Sequence, residues 1–247
     1  MLNKFHKINN NKFMKTEQII SELKSMANAR NVEGMSRFGI NPAGLLGISV
    51  VNLRILAKEI GKNHETALEL WDTGIHEARI LAAFIDIPKS VTRKQMENWV
   101  KDFDSWDVCD QVCMNLFDKT PYAFDKAVEW VEREEEFVRR AGFALMAVFA
   151  VHNKEAEDDF FYSFFPLIIK YSTDERNFVK KAVNWALRQI GKRNWELNLR
   201  AIKCCETMLK THPASKSARW NANDALRELT NDTARKRIES ALKKVKN

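Results

Sequence analysis

Helical periodicity recurs in pairs along this chain, and parts of the pairs repeat at a spacing of about 40 residues. The segments FVRRAGFALM (137–146) and FVKKAVNWAL (178–187) align without gaps at a distance of 41 residues. ALRQI (186–190) and ALREL (225–229) align at a distance of 39 residues. A lone helix pair cannot cover its own apolar face, so neighbouring pairs must stack and share a core. The chain is therefore predicted to form an all-α, HEAT-like helical-repeat superhelix, or α-solenoid.

The repeat predicts five helix pairs, each joined by a turn that contains Gly, Asp, Asn or Ser. The predicted pairs are 65–71 with 75–85, 93–103 with 105–117, 123–134 with 136–152, 158–171 with 176–191, and 194–209 with 217–229. Only 8 Gly and 5 Pro occur, too few for a β-sandwich rich in turns. The second helix of each pair is expected to line the inner, concave surface, and a bundle of six or seven helices is the alternative. We expect a tail and first helix in residues 1–34 and the repeat domain in residues 35–247.

Charge is segregated along the chain. The formal net charge of +7 divides into +4 over residues 1–37, −8 over 38–169 and +11 over 170–247. Such segregation favours a directed electrostatic surface, so we expect the concave face to be basic and to bind a polyanion, most commonly a nucleic acid. A solvated basic surface without a partner is the alternative.

The cysteines and the apolar runs point to a cytoplasmic protein. Cys109, Cys113, Cys204 and Cys205 form no CxxC pair and no zinc spacing, so we expect reduced, mostly buried thiols and no metal site. The first residues contain no apolar core of a secretory signal. No apolar run approaches the roughly 20 residues that span a bilayer, so no membrane association is expected.

Trp106 and Asp110 lie four residues apart on the predicted helix 105–117 and therefore share a face. A carboxylate in that position can stabilise a developing cation or position a water, and an indole beside it can pack on a sugar. The alternative is structural: Asp104 or Ser105 caps the helix, Trp106 belongs to the core and Asp110 is solvated.

Two inner helices carry cations suited to DNA phosphates. Arg139 and Arg140 follow one another in FVRRAGFALM, where they either contact phosphates or pair with the acidic run 134–136. The equivalent helix carries Lys180, Lys181, Trp185 and Arg188, and the last three follow i, i+4, i+7 spacing. An aromatic ring among cations is a common way to grip a nucleic-acid backbone. Burial of Trp185 in the core between repeats is the alternative.

Residues 35–230 resemble the DNA alkylation repair family of the AlkD type, which are HEAT-like repeat DNA glycosylases. The resemblance rests on Trp106 and Asp110 in SWDVCD, on Arg140 in FVRRA, on Trp185 in KKAVNWALR, and on GISVVNLRILAKEIG (47–61). Many members of that family carry a second aromatic residue immediately before the first tryptophan. Here Ser105 occupies that position, which affects the expected substrate range more than the fold.

The resemblance implies excision of cationic N3- and N7-alkylpurines from double-stranded DNA by hydrolysis of the N-glycosidic bond, without a cofactor and without base flipping. It implies that Asp110 stabilises an oxocarbenium-like sugar and orients water, that Trp106 and Trp185 hold the deoxyribose, and that Arg140 fixes the adjacent phosphate. A monomer that acts at the nucleoid is expected. Two alternatives stay open: a non-catalytic HEAT-like protein that binds distorted or branched DNA, and a protein-interaction scaffold.

The sequence also gives an expectation for two acidic residues of the motif. Asp110→Asn removes charge while nearly preserving shape, so the fold and duplex affinity are expected to survive while excision falls. Asp107 lies about 100° around the helix and is expected to tolerate the same change.

Overall fold

In the computed structural model, residues 14–233, 236 and 238 are described. Within them the chain forms α-helices and two short 3₁₀ helices, Pro88–Ser90 and Phe117–Lys119, and no strand. The α-helices are α1 (Thr16–Ser25), α2 (Ala29–Arg37), α3 (Val50–Ile60), α4 (His64–Asp72), α5 (His76–Ile85), α6 (Arg93–Lys101), α7 (Trp106–Asn115), α8 (Ala123–Val131), α9 (Glu136–His152), α10 (Asp158–Tyr162), α11 (Phe165–Tyr171), α12 (Asn177–Gly191), α13 (Trp195–Thr211) and α14 (Lys216–Leu229).

The helices stack in chain order. The second helices of the predicted pairs form one continuous layer, in which α5 packs on α7, α7 on α9, α9 on α12 and α12 on α14. The helix α3 extends this layer by packing on α5. First helices cover this layer from the other side, as α4 does on α5, α8 on α9, α11 on α12 and α13 on α14. The predicted all-α array of stacked helix pairs is therefore confirmed, rather than a bundle of six or seven helices.

Helices form at all ten predicted positions, with one interruption. The single helix expected over residues 158–171 is divided into α10 and α11. Pro166 is the second residue of α11, and a proline ring collides with the carbonyl four residues earlier in a continuous helix. That carbonyl belongs to Tyr162, where α10 ends. Pro is tolerated in the first turn, so a new helix can begin around it.

The N-terminal part joins the same core. Ile19 and Leu23 of α1 are fully buried in the main hydrophobic cluster. The boundary predicted after residue 34 falls inside α2, and the division into 1–34 and 35–247 stays a prediction. Most of the predicted N-terminal tail, residues 1–13, lies outside the described residues.

The pairs pack closely. At Gly142, an added Cβ would lie 2.6 Å from Val131 Cγ1 and 2.8 Å from the Ala127 carbonyl oxygen, so α8 and α9 meet backbone to backbone. All four cysteines are buried and free, as expected, and burial raises the pKa of Cys205 to about 12. Among the helices described, none combines the length and apolarity needed to cross a membrane.

Candidate functional site

A pocket of about 260 Å³ opens where the inner helices α7, α9 and α12 meet. Its lining consists of Phe38, Trp106, Asp110, Arg140, Phe178, Lys181 and Trp185. Because successive second helices lie side by side, residues far apart in sequence converge here. The structure thus brings together five of the residues singled out in the sequence: the aspartate, both tryptophans, one arginine and one lysine.

A bidentate ion pair is part of the lining of this pocket. Arg140 Nε donates to Asp110 Oδ1 at 3.0 Å, and Nη2 donates to Oδ2 at 2.7 Å. Arg140 Nη1 donates to the Phe178 carbonyl at 2.6 Å. Paired parallel hydrogen bonds of this kind fix orientation as well as distance. Three of the five guanidinium N–H groups therefore donate within the protein.

Burial controls the electrostatics of the pair. Arg140 is 5% exposed, and the Asp110 side chain is 14% exposed. Burial raises the pKa of Asp110, the positive charge and hydrogen bonds of Arg140 oppose that rise, and the nearby Asp107 adds to it. Burial by itself lowers the pKa of Arg140, but the Asp110 carboxylate holds it above its ordinary value. Asp110 is thus a desolvated carboxylate in a fixed position, not the solvated side chain of the structural alternative.

Aromatic rings form the walls. Trp106 is half-buried, and its indole N–H donates to the Phe38 carbonyl at 3.1 Å. Trp185 packs against the core on one side while it lines the pocket on the other, so both interpretations offered for it hold in part. Phe178 stacks on Phe137 with ring centroids 5.4 Å apart.

Sequence reasoning missed Phe38 and Phe178. Phe178 and Phe137 occupy equivalent positions in the two aligned segments, and that repetition is a signal which could have identified Phe178. Phe38 is 76% exposed and ends a helix without any buried residue, so no periodic pattern marks it. Gly39 follows with φ +78°, and an added Cβ there would lie 2.8 Å from the Phe178 ring.

Ser105 ties a distant segment to the start of α7. It is the residue before the helix, but its side chain makes no capping hydrogen bond. Its buried hydroxyl instead accepts the backbone N–H of Asn41 at 2.8 Å, and Asp104 accepts the Asn41 side chain at 2.9 Å. These bonds hold the segment that follows α2 against α7 and place Phe38 beside Trp106.

Asp107 is not the neutral position that the sequence indicated. It is 7% exposed, and its Oδ2 lies 2.8 Å from Nε2 of the buried His76, which joins α7 to α5. The expectation that Asp107→Asn is tolerated stays a prediction for excision, while for stability the buried polar pair with His76 indicates a cost. Asp110→Asn also removes a charge from a buried ion pair, so its effect on stability must be measured beside its effect on activity.

Arg139 lies outside the pocket. Its Nη1 donates to Asp174 at 2.8 Å, its Nε donates to the Val131 carbonyl at 2.9 Å, and its guanidinium lies 4.4 Å from the Tyr171 ring centroid. Arg139 pairs with Asp174 and Arg140 with Asp110, so the alternative of ion pairs with the acidic run 134–136 is not realised. A phosphate contact by Arg139 stays a prediction.

The remaining predicted cations on α12 differ in their surroundings. Lys181 is exposed at the pocket. Lys180 Nζ lies 5.2 Å from the centroid of Trp220, and Arg188 pairs with Glu228. Their roles in DNA binding stay predictions. No cluster of three or more His, Cys, Asp or Glu side chains suited to a metal ion occurs in the part of the chain that the structure describes.

Comparison with known proteins adds three findings. The profile of a family described as DNA alkylation repair enzyme matches residues 19–229. The uncharacterized protein Lin0241 of Listeria innocua is 22% identical over 200 residues, which cover 79% of this chain and 87% of that protein.

The third finding concerns a solved structure described as a new family of proteins related to the HEAT-like repeat DNA glycosylases with affinity for branched DNA structures. It matches with a TM-score of 0.71 at 19% identity, over 79% of this chain and 83% of that one. At this identity the likeness concerns the fold alone, and it confirms the HEAT-like helical-repeat class.

Proposed function

This chain belongs to the DNA alkylation repair enzyme family, and from that premise we propose that it is a DNA glycosylase. Its substrate would be double-stranded DNA that carries cationic N3- or N7-alkylpurines, and its reaction would be hydrolysis of the N-glycosidic bond. The observation that carries the proposal is that the arginine-held carboxylate of Asp110 lines the same pocket as Trp106 and Trp185.

Cleavage of the glycosidic bond of a cationic alkylpurine requires little from the protein beyond electrostatic stabilisation of the transition state. When the C1′–N bond breaks, the alkylated base takes both electrons and leaves neutral, and positive charge develops on the deoxyribose. A preorganised negative charge in a desolvated site lowers the free energy of that transition state. Asp110 would supply this charge, orient the attacking water and accept its proton after the C1′–O bond forms.

Arg140 would act in two ways. Its bidentate bond keeps Asp110 in one orientation, so no free energy of reorganisation is needed as the sugar becomes cationic. As a residue of the pocket lining, it would also contact the phosphate next to the lesion. Trp106 and Trp185 would hold the deoxyribose through their ring faces, and Lys181 would contact a second phosphate at the pocket's edge.

We propose that excision takes place without base flipping, as the family resemblance implies. The groups that line the pocket are four aromatic rings, a lysine and the ion pair. These groups suit contacts to a sugar and to its phosphates.

A second candidate function is binding of distorted or branched DNA without excision. The neighbouring structure belongs to proteins described as having affinity for branched DNA. In this chain, Phe38 presents an exposed ring beside the pocket, which suits stacking on a base at a distortion. Localisation at the nucleoid and action as a monomer are part of both proposals.

Incubation of the protein with a duplex that carries one N7-methylguanine tests the proposal. Release of free 7-methylguanine, with an alkali-labile abasic site in the strand, is the expected result. Tight binding of the duplex, or of a four-way junction, without base release would favour the second candidate. An undamaged duplex of the same sequence is the control, because spontaneous loss of guanine from it is negligible on the assay's timescale.

A further inference from the structure

A second pocket, of about 420 Å³, lies at the C-terminal ends of the inner helices α3, α5 and α7. Four cations line it: Arg54, Lys58, Lys62 and Lys119. Phe84 contributes an aromatic ring, and no carboxylate is part of the lining. We call this the cationic pocket.

Two of the four cations have a structural explanation. Lys62 Nζ donates to the Phe84 and Asp86 carbonyls at 2.9 and 2.8 Å, and Lys119 Nζ donates to the Asn115 carbonyl at 2.7 Å. Cations at helix C-termini are favourable because the last carbonyls carry partial negative charge. These two lysines therefore cap the C-terminal ends of α5 and α7.

The other two cations have no such role. Lys58 is exposed and has no hydrogen bond or ion pair within the part of the chain that the structure describes. Arg54 lies 4.5 Å from the centroid of Phe84 and reaches only the amide oxygens of Gln111 and Asn115, at 3.3 and 3.2 Å. Among the described residues, no carboxylate forms an ion pair with either of these side chains.

The cations oppose one another. Burial and the positive charge of Lys119 lower the pKa of Lys62, and the carboxylate of Asp86, outside the lining, opposes them only in part. Concentration of like charge in one concavity weakens stability unless an anion enters it, and it raises the local concentration of anions. An anion that suits this pocket would carry a phosphate group, either in a nucleic-acid backbone or as a free ion.

We propose that the cationic pocket binds a phosphate of the DNA backbone, as a second anchor separate from the Asp110 pocket. This inference rests on the proposed function. Both pockets use α7: Asp110 lines one, and Arg54 of the other donates to the side chain of Gln111, the residue that follows Asp110. We expect a duplex seated on the Asp110 pocket to reach the cationic pocket.

The position of the cationic pocket changes which part of the chain is expected to contact DNA. The charge sum along the sequence assigns DNA affinity to residues 170–247, whereas the cationic pocket belongs to the stretch 38–169, whose net charge is −8. The acidic residues of that stretch do not line the pocket. The first helix pairs therefore hold DNA as well as the last ones.

Lys58→Ala and the double variant Arg54→Ala/Lys58→Ala test the inference, because neither side chain holds a helix end. Lys94→Ala is the matched control: Lys94 is an exposed lysine of α6 that lines neither pocket. Affinity for an undamaged duplex is measured between about 50 and 200 mM salt. Each lost phosphate contact should lower affinity roughly 3- to 10-fold and reduce the slope of log K against log salt by about 1. Lys94→Ala should match the wild type.

The outcomes separate this inference from the proposed function. Wild-type binding with an unchanged affinity and salt slope in both variants would overturn the cationic pocket alone. Absence of duplex binding by the wild type would overturn the inference together with the DNA-directed function. A parallel titration with inorganic pyrophosphate tests a free anion as the ligand. Pyrophosphate binding that Lys58→Ala abolishes, with duplex affinity unchanged, would overturn DNA as the source of the phosphate.

Discussion

The two pockets on α7 use charge in opposite ways. In the Asp110 pocket the charged pair is internally balanced, because Arg140 and Asp110 face each other beneath aromatic rings. In the cationic pocket four positive charges share one concavity without a carboxylate in its lining. A balanced, buried pair fixes one geometry, which suits chemistry at a sugar. An unbalanced, open cluster attracts anions without fixing them, which suits a phosphate backbone.

We expect the largest effect on stability when the ion pair between Arg140 and Asp110 is broken. Arg140→Ala leaves the Asp110 carboxylate buried without its partner, and such a change typically costs about 3–5 kcal/mol of folding free energy. Lys58→Ala in the cationic pocket should change stability by less than about 0.5 kcal/mol. Urea unfolding of both variants measures the difference. Similar losses in the two would mean that the pair contributes no more than a surface charge.

Asp107→Asn should have an intermediate effect. The variant weakens the buried bond to His76, which we expect to cost about 1–3 kcal/mol. Because Asp107 is not part of the pocket lining, the fraction that stays folded should excise at the wild-type rate. Unfolding curves and single-turnover rates, corrected for the folded fraction, provide the test. A rate loss as large as that of Asp110→Asn would place Asp107 in the chemistry.

The pockets should also differ in their response to pH. Burial raises the pKa of Asp110, so the carboxylate takes up its proton at a higher pH than an ordinary aspartate, whose pKa is 3.8. Excision should therefore fall as pH decreases through that raised pKa, because a neutral carboxyl group cannot stabilise a cation. Duplex affinity should not fall over the same range, since the lysines stay protonated. A parallel fall of both quantities would indicate acid unfolding instead.

The smallest effects concern single exposed lysines. Lys181→Ala at the Asp110 pocket and Lys58→Ala at the cationic pocket should each weaken duplex binding roughly 3- to 10-fold. If each lysine contacts its own phosphate, the free-energy losses should add in the double variant, as they do for distant independent sites. Duplex titrations of the two single variants and the double variant measure this. A double variant no weaker than either single one would mean that both lysines serve one contact.

Prediction from sequence succeeded where periodicity governs the structure. The helix pairs followed from apolar spacing, and Trp106, Asp110, Arg140 and Trp185 meet because equivalent helices pack side by side. It was less successful where an interaction depends on a partner far along the chain. Nothing near Asp107 in sequence indicates that it faces His76.

The positively charged side chains show the same limit of prediction from sequence. Charge summed along the chain assigns residues 38–169 to an acidic stretch, but ion pairing redistributes charge in space. Arg188 is neutralised by Glu228, although it belongs to the basic end. Lys58 stays unpaired within the described residues, although it belongs to the acidic stretch. The sequence therefore gives the amount of charge, and the fold decides which charges are available to DNA.

The central claim is that Asp110 stabilises the sugar cation during excision of an alkylpurine. The most direct measurement is the single-turnover rate of 7-methylguanine release by wild-type protein and by Asp110→Asn, with protein in excess over a duplex of known affinity. Circular dichroism at the assay temperature verifies that the variant is folded. We predict that release falls by about 10²–10³-fold while duplex affinity is kept or increases, because one electrostatic stabiliser is lost and one repulsion with phosphate is removed. Release by folded Asp110→Asn at the wild-type rate, or no release by the wild type, would contradict the account.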